Sequence, residues 1–171
     1  MPKLTTPDRV NLNYTDIGSG RPIVMIHGWP LSGAAFADNA TVFAAAGYRV
    51  ITYDRRGFGQ SGKPRDGYDY DTLAADLDAL LTGLDLRDVV LLGFSMGGGE
   101  VARYLATRGS GRVSAAILSG SVCPALCITK DNPDGAMPRE GFQELADACA
   151  ADHSGFVDQF CGWFYSNDQG L

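Results

Sequence analysis

Short apolar runs recur along the first two thirds of the chain, and longer stretches with helical spacing separate them. Residues 11–16 alternate polar and apolar side chains, which predicts a half-buried strand. The runs at 23–26, 50–53, 89–92 and 115–118 are almost continuously apolar. Because such runs are typical of strands covered on both faces, they predict a parallel sheet.

Helical spacing appears between these strands, at 34–46, 71–81 and 96–107. In the second segment an apolar face recurs every three or four residues, formed by Leu73, Leu77, Leu80 and Leu81. Strands that alternate with helices predict an α/β fold, with an open, mostly parallel sheet and helices on both faces.

The pattern changes after about residue 120. Residues 131–135 have turn chemistry, and the sequence from Pro138 onward predicts two short helices rich in Phe, Ala and Cys. No further strand-like run follows in the sequence. We therefore expect a core at 1–120 and a separate helical region at 121–171.

Composition and charge narrow the classes of function. The chain has 171 residues, of which 45% are hydrophobic and 20% charged, as in ordinary globular domains. Its net charge of −6 argues against nucleic acid or an anionic membrane as a partner. No apolar run reaches the ~18 residues of a membrane span. Residues 1–6 show no export signal, so we expect a cytoplasmic protein.

The cysteines are all in the last third of the sequence, at Cys123, Cys127, Cys149 and Cys161. They predict free thiols, with disulfides as the lesser alternative. The spacing of the first two suits a metal, but zinc needs two more ligands and only His153 is near in sequence. We therefore expect no metal site.

The first candidate for chemistry lies at residues 89–100, which read as a strand, then Gly-x-Ser-x-Gly, then a helix. A tight strand-to-helix turn needs small residues at Gly93 and Gly97, and it lifts the Ser95 hydroxyl above the sheet. Ser95 is therefore a candidate nucleophile at a helix N-terminus. The alternative is a glycine-rich loop that only packs.

A second candidate element, His-Gly-Trp-Pro at 27–30, follows the strand at 23–26. The backbone N–H of Trp29 can point at the same space as that of Met96, and two such donors would form an oxyanion hole. For His27 we favour a structural role, with its ring bonded to the loop backbone, over that of a catalytic base. Trp29 and Phe94 are candidates for apolar lining.

Residues 53–61 follow the next strand and contain Asp54, Arg55 and Arg56. These charges predict a network of ion pairs and hydrogen bonds that fixes the loop. Gly57 and Gly59 do not form a phosphate loop, because neither Gly-Lys-Ser/Thr nor a GxGxxG that opens a helix is present.

Four segments together closely resemble the α/β-hydrolase superfamily, above all its cofactor-free haloperoxidase (perhydrolase) and arylesterase branch: 25–32, 53–61, 67–71 and 93–104. The resemblance runs from about residue 8 to the end of the chain. It implies that Ser95 is the nucleophile and that Trp29 and Met96 supply the oxyanion N–H groups. Trp29 and Phe94 would contact the substrate, and residues 121–171 would start a helical cap.

The resemblance also implies catalytic partners that this sequence does not supply. In this fold the order is Ser, then Asp, then His. After Ser95 the only histidine is His153, in a helix-start sequence, and the strand at 115–118 is followed by Ser119-Gly120-Ser121 without an acid. Roughly 100 further residues with two strands are expected from the family pattern. We therefore expect an N-terminal portion, inactive alone, that a missing C-terminal segment or a second protomer completes.

Two functions remain open from the sequence. The first is a serine hydrolase for small carboxylic esters, which forms an acyl-enzyme and passes the acyl group to water or hydrogen peroxide without metal, haem or flavin. The second is a hydrolase-like binding protein, deficient in the triad and without turnover. A dehalogenase is disfavoured because its nucleophile would be Asp, where this chain has Ser95.

Pro30 bears on the choice between water and peroxide. Proline fixes φ near −65° and lacks an N–H, so it can set the direction of the Trp29 carbonyl. A carbonyl turned toward the attacking nucleophile would accept a hydrogen bond from peroxide. Perhydrolase-type members of the family resemble this sequence in having proline there. The alternative is that Pro30 only makes the turn rigid.

Overall fold

A computed structural model describes residues 2–123 and 125–165 of the chain. The strands are β1 (Lys3–Thr5), β2 (Asn11–Gly18), β3 (Arg21–Ile26), β4 (Tyr48–Tyr53), β5 (Val89–Phe94) and β6 (Val113–Ser119). The α-helices are α1 (Ala37–Ala45), α2 (Tyr70–Gly83), α3 (Met96–Arg108), α4 (Arg139–Ala151) and α5 (His153–Tyr165). A short 3₁₀ helix, Gly33–Phe36, precedes α1.

The strands form one sheet in the order β1-β2-β4-β3-β5-β6. The neighbours of β3 on both sides, β4 and β5, run parallel to it, and β6 runs parallel to β5. Only the β1–β2–β4 side is antiparallel among the strands described. The predicted open, mostly parallel α/β sheet is confirmed.

The two faces of β3 explain why its sequence is continuously apolar. Val24 and Ile26 belong to the larger core cluster, which contains three leucines of α2 and residues of α3. Ile23 and Met25 belong to a second cluster, which contains Ala40 of α1. Helices therefore cover both faces of the sheet, as the sequence predicted.

Two local features differ from the expected pattern. The predicted helix at 34–46 is divided, because its first turn is 3₁₀ and the Gly33 N–H that opens it donates to Asp54 Oδ1 at 2.9 Å. Strand β1 was not predicted at all. Its three residues are too few to show alternation, and it exists through pairing with β2, with Leu4 opposite Leu12.

The described residues fall into two compact units, divided after Cys123. The first contains the sheet with α1 to α3, and the second contains α4 and α5, which pack against each other. All four cysteines are free thiols. Within the described residues, no helix combines the length and apolar character needed to cross a membrane.

Candidate active site

Ser95 lies between the last residue of β5 and the first residue of α3, at φ 52° and ψ −120°. A positive φ is uncommon for a residue with a side chain, and this ψ lies outside the left-handed helical region. The turn is tight: a Cβ on Gly93 would lie 2.6 Å from the Gly97 carbonyl oxygen. The need for glycine on both sides of the serine is therefore steric, as the sequence predicted.

Three successive glycines form the first turn of α3, and a different segment packs against each. A Cβ on Gly97 would overlap the backbone at the end of β3, and one on Gly98 would lie 2.6 Å from Ser121 Cβ. A Cβ on Gly99 would lie 2.5 Å from the Tyr70 ring. The Gly-Gly-Gly sequence thus lets three segments approach the helix that follows Ser95.

The loop after β3 reaches Ser95 because β3 and β5 are adjacent parallel strands, paired up to Ile26 and Gly93. Such carboxyl ends, where the chain order reverses across an open sheet, are the usual ligand sites of α/β folds. A Cβ on Gly28 would lie 2.8 Å from Ser95 Cβ, so this loop touches the serine directly. The Trp29–Pro30 peptide bond that follows is cis.

His27 is completely buried, and both of its ring nitrogens are engaged by backbone groups. Nδ1 lies 2.8 Å from the Gly28 carbonyl oxygen, and Nε2 accepts a hydrogen bond from the Arg55 N–H at 3.1 Å. This pattern assigns the proton to Nδ1. Burial, assisted by the Arg55 charge, lowers the pKa of His27 to about 4. His27 therefore has the structural role expected from the sequence.

Asp54 fixes the loops at the carboxyl ends of β3 and β4. One carboxylate oxygen accepts the Gly33 N–H at 2.9 Å, while the other accepts the Gln60 N–H at 2.8 Å and the Asn13 amide at 3.1 Å. Its side chain is buried, so each of these hydrogen bonds is shielded from water. The predicted loop-fixing network is present here.

A second buried network joins β4 to α3, and sequence reasoning missed it. Arg55 Nη1 lies 3.6 Å from Glu100 Oε2, and the Tyr53 hydroxyl donates to Glu100 Oε1. Burial raises the pKa of Glu100 to about 7, although Arg55 acts in the opposite direction. One signal was available: Glu100 is in helical register with Gly97 and Tyr104, on the buried face of α3.

The sequence contains two histidines, and neither is bonded to Ser95. His27 is held as described above, and His153 begins α5 in the second unit, with Nδ1 3.4 Å from Cys149 Sγ. Among residues 2–123 and 125–165, no side chain makes a hydrogen bond to the Ser95 hydroxyl. The described residues thus hold a strained serine turn and an adjoining loop, with no histidine bonded to the serine.

Comparison with known families agrees with this geometry. Residues 21–171 match the model of the alpha/beta hydrolase fold family. The chain belongs to this family, so the resemblance seen in its sequence is confirmed.

Haloperoxidases and esterases are among the individual relatives. The chain is 48% identical to a non-heme chloroperoxidase of Kitasatospora aureofaciens, over 99% of this chain and 62% of that protein. It is 38% identical to a bifunctional esterase/perhydrolase of Acinetobacter calcoaceticus, over 95% of this chain and 59% of that protein. The crystal structure of a bromoperoxidase from Bacillus anthracis superposes with a TM-score of 0.88 at 44% identity, covering 93% of this chain and 58% of that one. The chain therefore spans about three fifths of the length of these relatives.

Proposed function

We propose that this chain carries the nucleophile of a serine hydrolase that acts on small carboxylic esters and passes the acyl group to water or hydrogen peroxide. The observation that carries the proposal is the strained Ser95 between β5 and α3, with Gly28 against its Cβ. The similarity to chloroperoxidases and to an esterase/perhydrolase supports the substrate class.

The proposed reaction begins when Ser95 Oγ attacks the acyl carbon of the ester. The carbonyl oxygen becomes an oxyanion, which accepts hydrogen bonds from the backbone N–H groups of Trp29 and Met96. The alcohol leaves with a proton, and an acyl-enzyme remains on Ser95. Water then releases a carboxylic acid, or hydrogen peroxide releases a peracid, and Oγ regains its proton. The serine supplies the nucleophile, so the scheme requires no metal, haem or flavin.

The side chains of Trp29 and Phe94 are the proposed substrate contacts. Each directly adjoins a residue of the Gly28–Ser95 contact in sequence, and both are only partly buried. Aromatic surface beside the nucleophile suits a small apolar acyl group.

We further propose that the general base and its carboxylate come from polypeptide outside the described residues. His27 does not fit this role, because both ring nitrogens are engaged and its pKa is about 4. A C-terminal continuation or a second protomer would supply the pair, and the exposed strand β6 offers it a place to dock. On this proposal the 171 residues alone do not turn over esters.

Two further expectations from the sequence stay predictions. Residues 121–171 are proposed to start a helical cap, which the two helices of the second unit support. The cytoplasm remains the proposed location.

A fluorophosphonate probe tests the function, because it reacts only with an activated serine. We expect the protein at its full natural length to be labelled at Ser95, as located by peptide mass spectrometry. The Ser95→Ala variant should fold, escape labelling, and lose on the order of 10⁶ in turnover of p-nitrophenyl acetate. Retention of more than a few per cent of the activity would refute Ser95 as the nucleophile.

The same experiment separates the enzyme from a hydrolase-like binding protein. A binding protein would bind an ester in a calorimeter without reacting with the probe. Labelling of Ser95 at a rate that falls with competing ester favours the enzyme, since both ligands then occupy one site.

A further inference from the structure

Arg55 contacts both segments that carry the proposed oxyanion donors. Its backbone N–H donates to His27 Nε2 at 3.1 Å, and His27 Nδ1 lies 2.8 Å from the Gly28 carbonyl oxygen. Its guanidinium Nη1 lies 3.6 Å from Glu100 Oε2 on α3. One residue is thus linked to the loop of the first donor and to the helix of the second.

The surroundings of this link are closely packed. The side chains of Arg55 and Glu100 are both 0% exposed, and the Tyr53 hydroxyl donates to the free side of the carboxylate. The Phe58 ring centre lies 5.2 Å from the guanidinium carbon and 5.2 Å from the His27 ring centre, which it meets edge-on. Charges in such a site are little screened by solvent, so the two side chains constrain each other.

The neighbouring ion pair shows what a well-bonded buried pair looks like in this fold. Arg56 makes two hydrogen bonds of 2.6 Å to Asp76. By contrast, Arg55 Nε, Nη1 and Nη2 have no hydrogen-bond partner among the described residues, and neither does Glu100 Oε2. A buried pair of this kind contributes little to stability after desolvation. Because the backbone of Arg55 is bonded to His27 while its side chain pairs with α3, this ion pair suggests another role.

We infer that Arg55 and Glu100 are positioning residues whose buried ion pair sets the spacing between the loop at 27–30 and the first turn of α3. This inference rests on the proposed function. Neither side chain need touch the substrate. Oxyanion donors act at about 2.7–3.1 Å. A small displacement of one donor therefore reduces the stabilisation of the transition state more than it reduces binding of the ester.

The test variant is Glu100→Gln, which removes the charge but keeps an oxygen for the Tyr53 hydroxyl. At pH 8, above the pKa of Glu100, with p-nitrophenyl acetate and the protein at its full natural length, we expect kcat to fall about tenfold, less than the loss of a whole oxyanion donor. KM should change less than about twofold, since the oxyanion is absent from the ground state. The affinity of a phenylboronic acid, whose serine adduct is tetrahedral, should fall by the same factor as kcat/KM.

The matched control is Asp76→Asn, which breaks the neighbouring buried pair with Arg56. Asp76 is 2% exposed and belongs to α2, outside the loop and α3. This variant should lower the unfolding temperature and leave both kcat and boronic acid affinity unchanged below that temperature. If Glu100→Gln does not fold, Tyr53→Phe replaces it as the test variant, because it keeps the charges of Arg55 and Glu100. It should reduce kcat in the same direction but by a smaller factor.

The outcomes are distinguishable. If wild-type Ser95 resists the fluorophosphonate, the proposed function fails and the inference falls with it. If Ser95 is labelled but the Glu100 or Tyr53 variant keeps wild-type kcat and boronic acid affinity, the inference alone is overturned. A fall in kcat with constant KM, absent from Asp76→Asn, supports it.

Discussion

Ser95 has an unusual backbone conformation, and the surrounding structure holds it there. Its N–H donates to the Ser119 carbonyl on β6 at 2.9 Å, and its own carbonyl accepts the Gly98 N–H at 3.0 Å. Strained residues of this kind persist only where neighbours over-determine them, and they cluster at active sites. The strain therefore supports Ser95 as the functional residue independently of its motif.

Pro30 provides a test of selectivity at the level of one residue. If it orients the Trp29 carbonyl toward peroxide, Pro30→Leu in the protein at its full natural length should lose perhydrolysis selectively. The expected change in the ratio of perhydrolysis of acetate to hydrolysis of a simple ester is a few-fold, the worth of one hydrogen bond of ~1 kcal/mol. Equal falls in both rates would show that Pro30 only makes the turn rigid.

Glu100 and His27 give opposite pH dependences of stability. The pKa of Glu100 rises from 4.5 to about 7, so the folded state binds more protons than the unfolded state in that window. The contribution of Glu100 to the stability of the folded state is therefore present below pH 4.5 and lost as the pH rises through 7. The pKa of His27 falls from 6.5 to about 4, so its contribution is lost as the pH falls through that range.

Because the two effects oppose each other in the wild type, the difference from Glu100→Gln isolates one of them. The free energy of unfolding of this variant, relative to wild type, should increase by about 3 kcal/mol from pH 4.5 to pH 7, at ~1.4 kcal/mol per pH unit. Urea unfolding at several pH values measures it. A difference that is independent of pH would show that Glu100 does not titrate in this window.

The sequence predicted the candidate site residues that belong to local sequence patterns. Ser95 and the loop at 27–30 follow apolar strands and have glycine where the turn requires it. Glu100 was missed as the buried partner of Arg55, because charged side chains are normally exposed and the burial of this pair depends on contact between the loop after β4 and α3. Only tertiary structure brings these two distant positions together.

At the scale of elements, the strands buried on both faces were the most predictable. Continuous apolar runs located β3 to β6, and β3, β4 and β5 pack against two layers. Helix α2 extends from Tyr70, where Asp69 caps it by accepting the Thr72 N–H at 2.9 Å, close to the predicted start. Elements that depend on a partner, such as β1, leave no comparable signal.

The packing of α3 against β3 gives a prediction for Gly97→Ala. The added Cβ would lie 2.9 Å from the His27 carbonyl oxygen and nearer still to that of Ile26, both of them backbone atoms. In the protein at its full natural length, we expect a loss of about 1–3 kcal/mol in the free energy of unfolding, as for other overpacked sites, together with lower esterase activity. Urea unfolding and ester turnover measure the two effects.

Gly111→Ala is the matched control for that substitution. A Cβ at Gly111 would meet nothing within 4 Å. Its φ is not among the positive values, so alanine should be neutral or stabilise by up to ~1 kcal/mol. Equal destabilisation by the two substitutions would contradict the steric account of the first turn of α3.

At the scale of the whole molecule, the two edges of the sheet differ. On one side β1 is only three residues long, which limits pairing with another chain. On the other side β6 is seven residues long, and residues 114–119 are exposed. Ile117 and Leu118 are about half exposed there, at 47% and 49%. An apolar, parallel-paired edge of this length invites pairing with a further strand.

We therefore expect the 171-residue chain, produced alone, to associate through β6. Light scattering coupled to size-exclusion chromatography should give a mass above that of the monomer, increasing with concentration. Leu118→Lys should shift the population toward monomer, because a charged residue on an edge strand opposes pairing. Val42→Lys is the control, since it also adds a charge at an exposed apolar position, 66% exposed, but on α1. If the two variants associate equally, or if the wild-type chain is monomeric at all concentrations, β6 is not the contact surface.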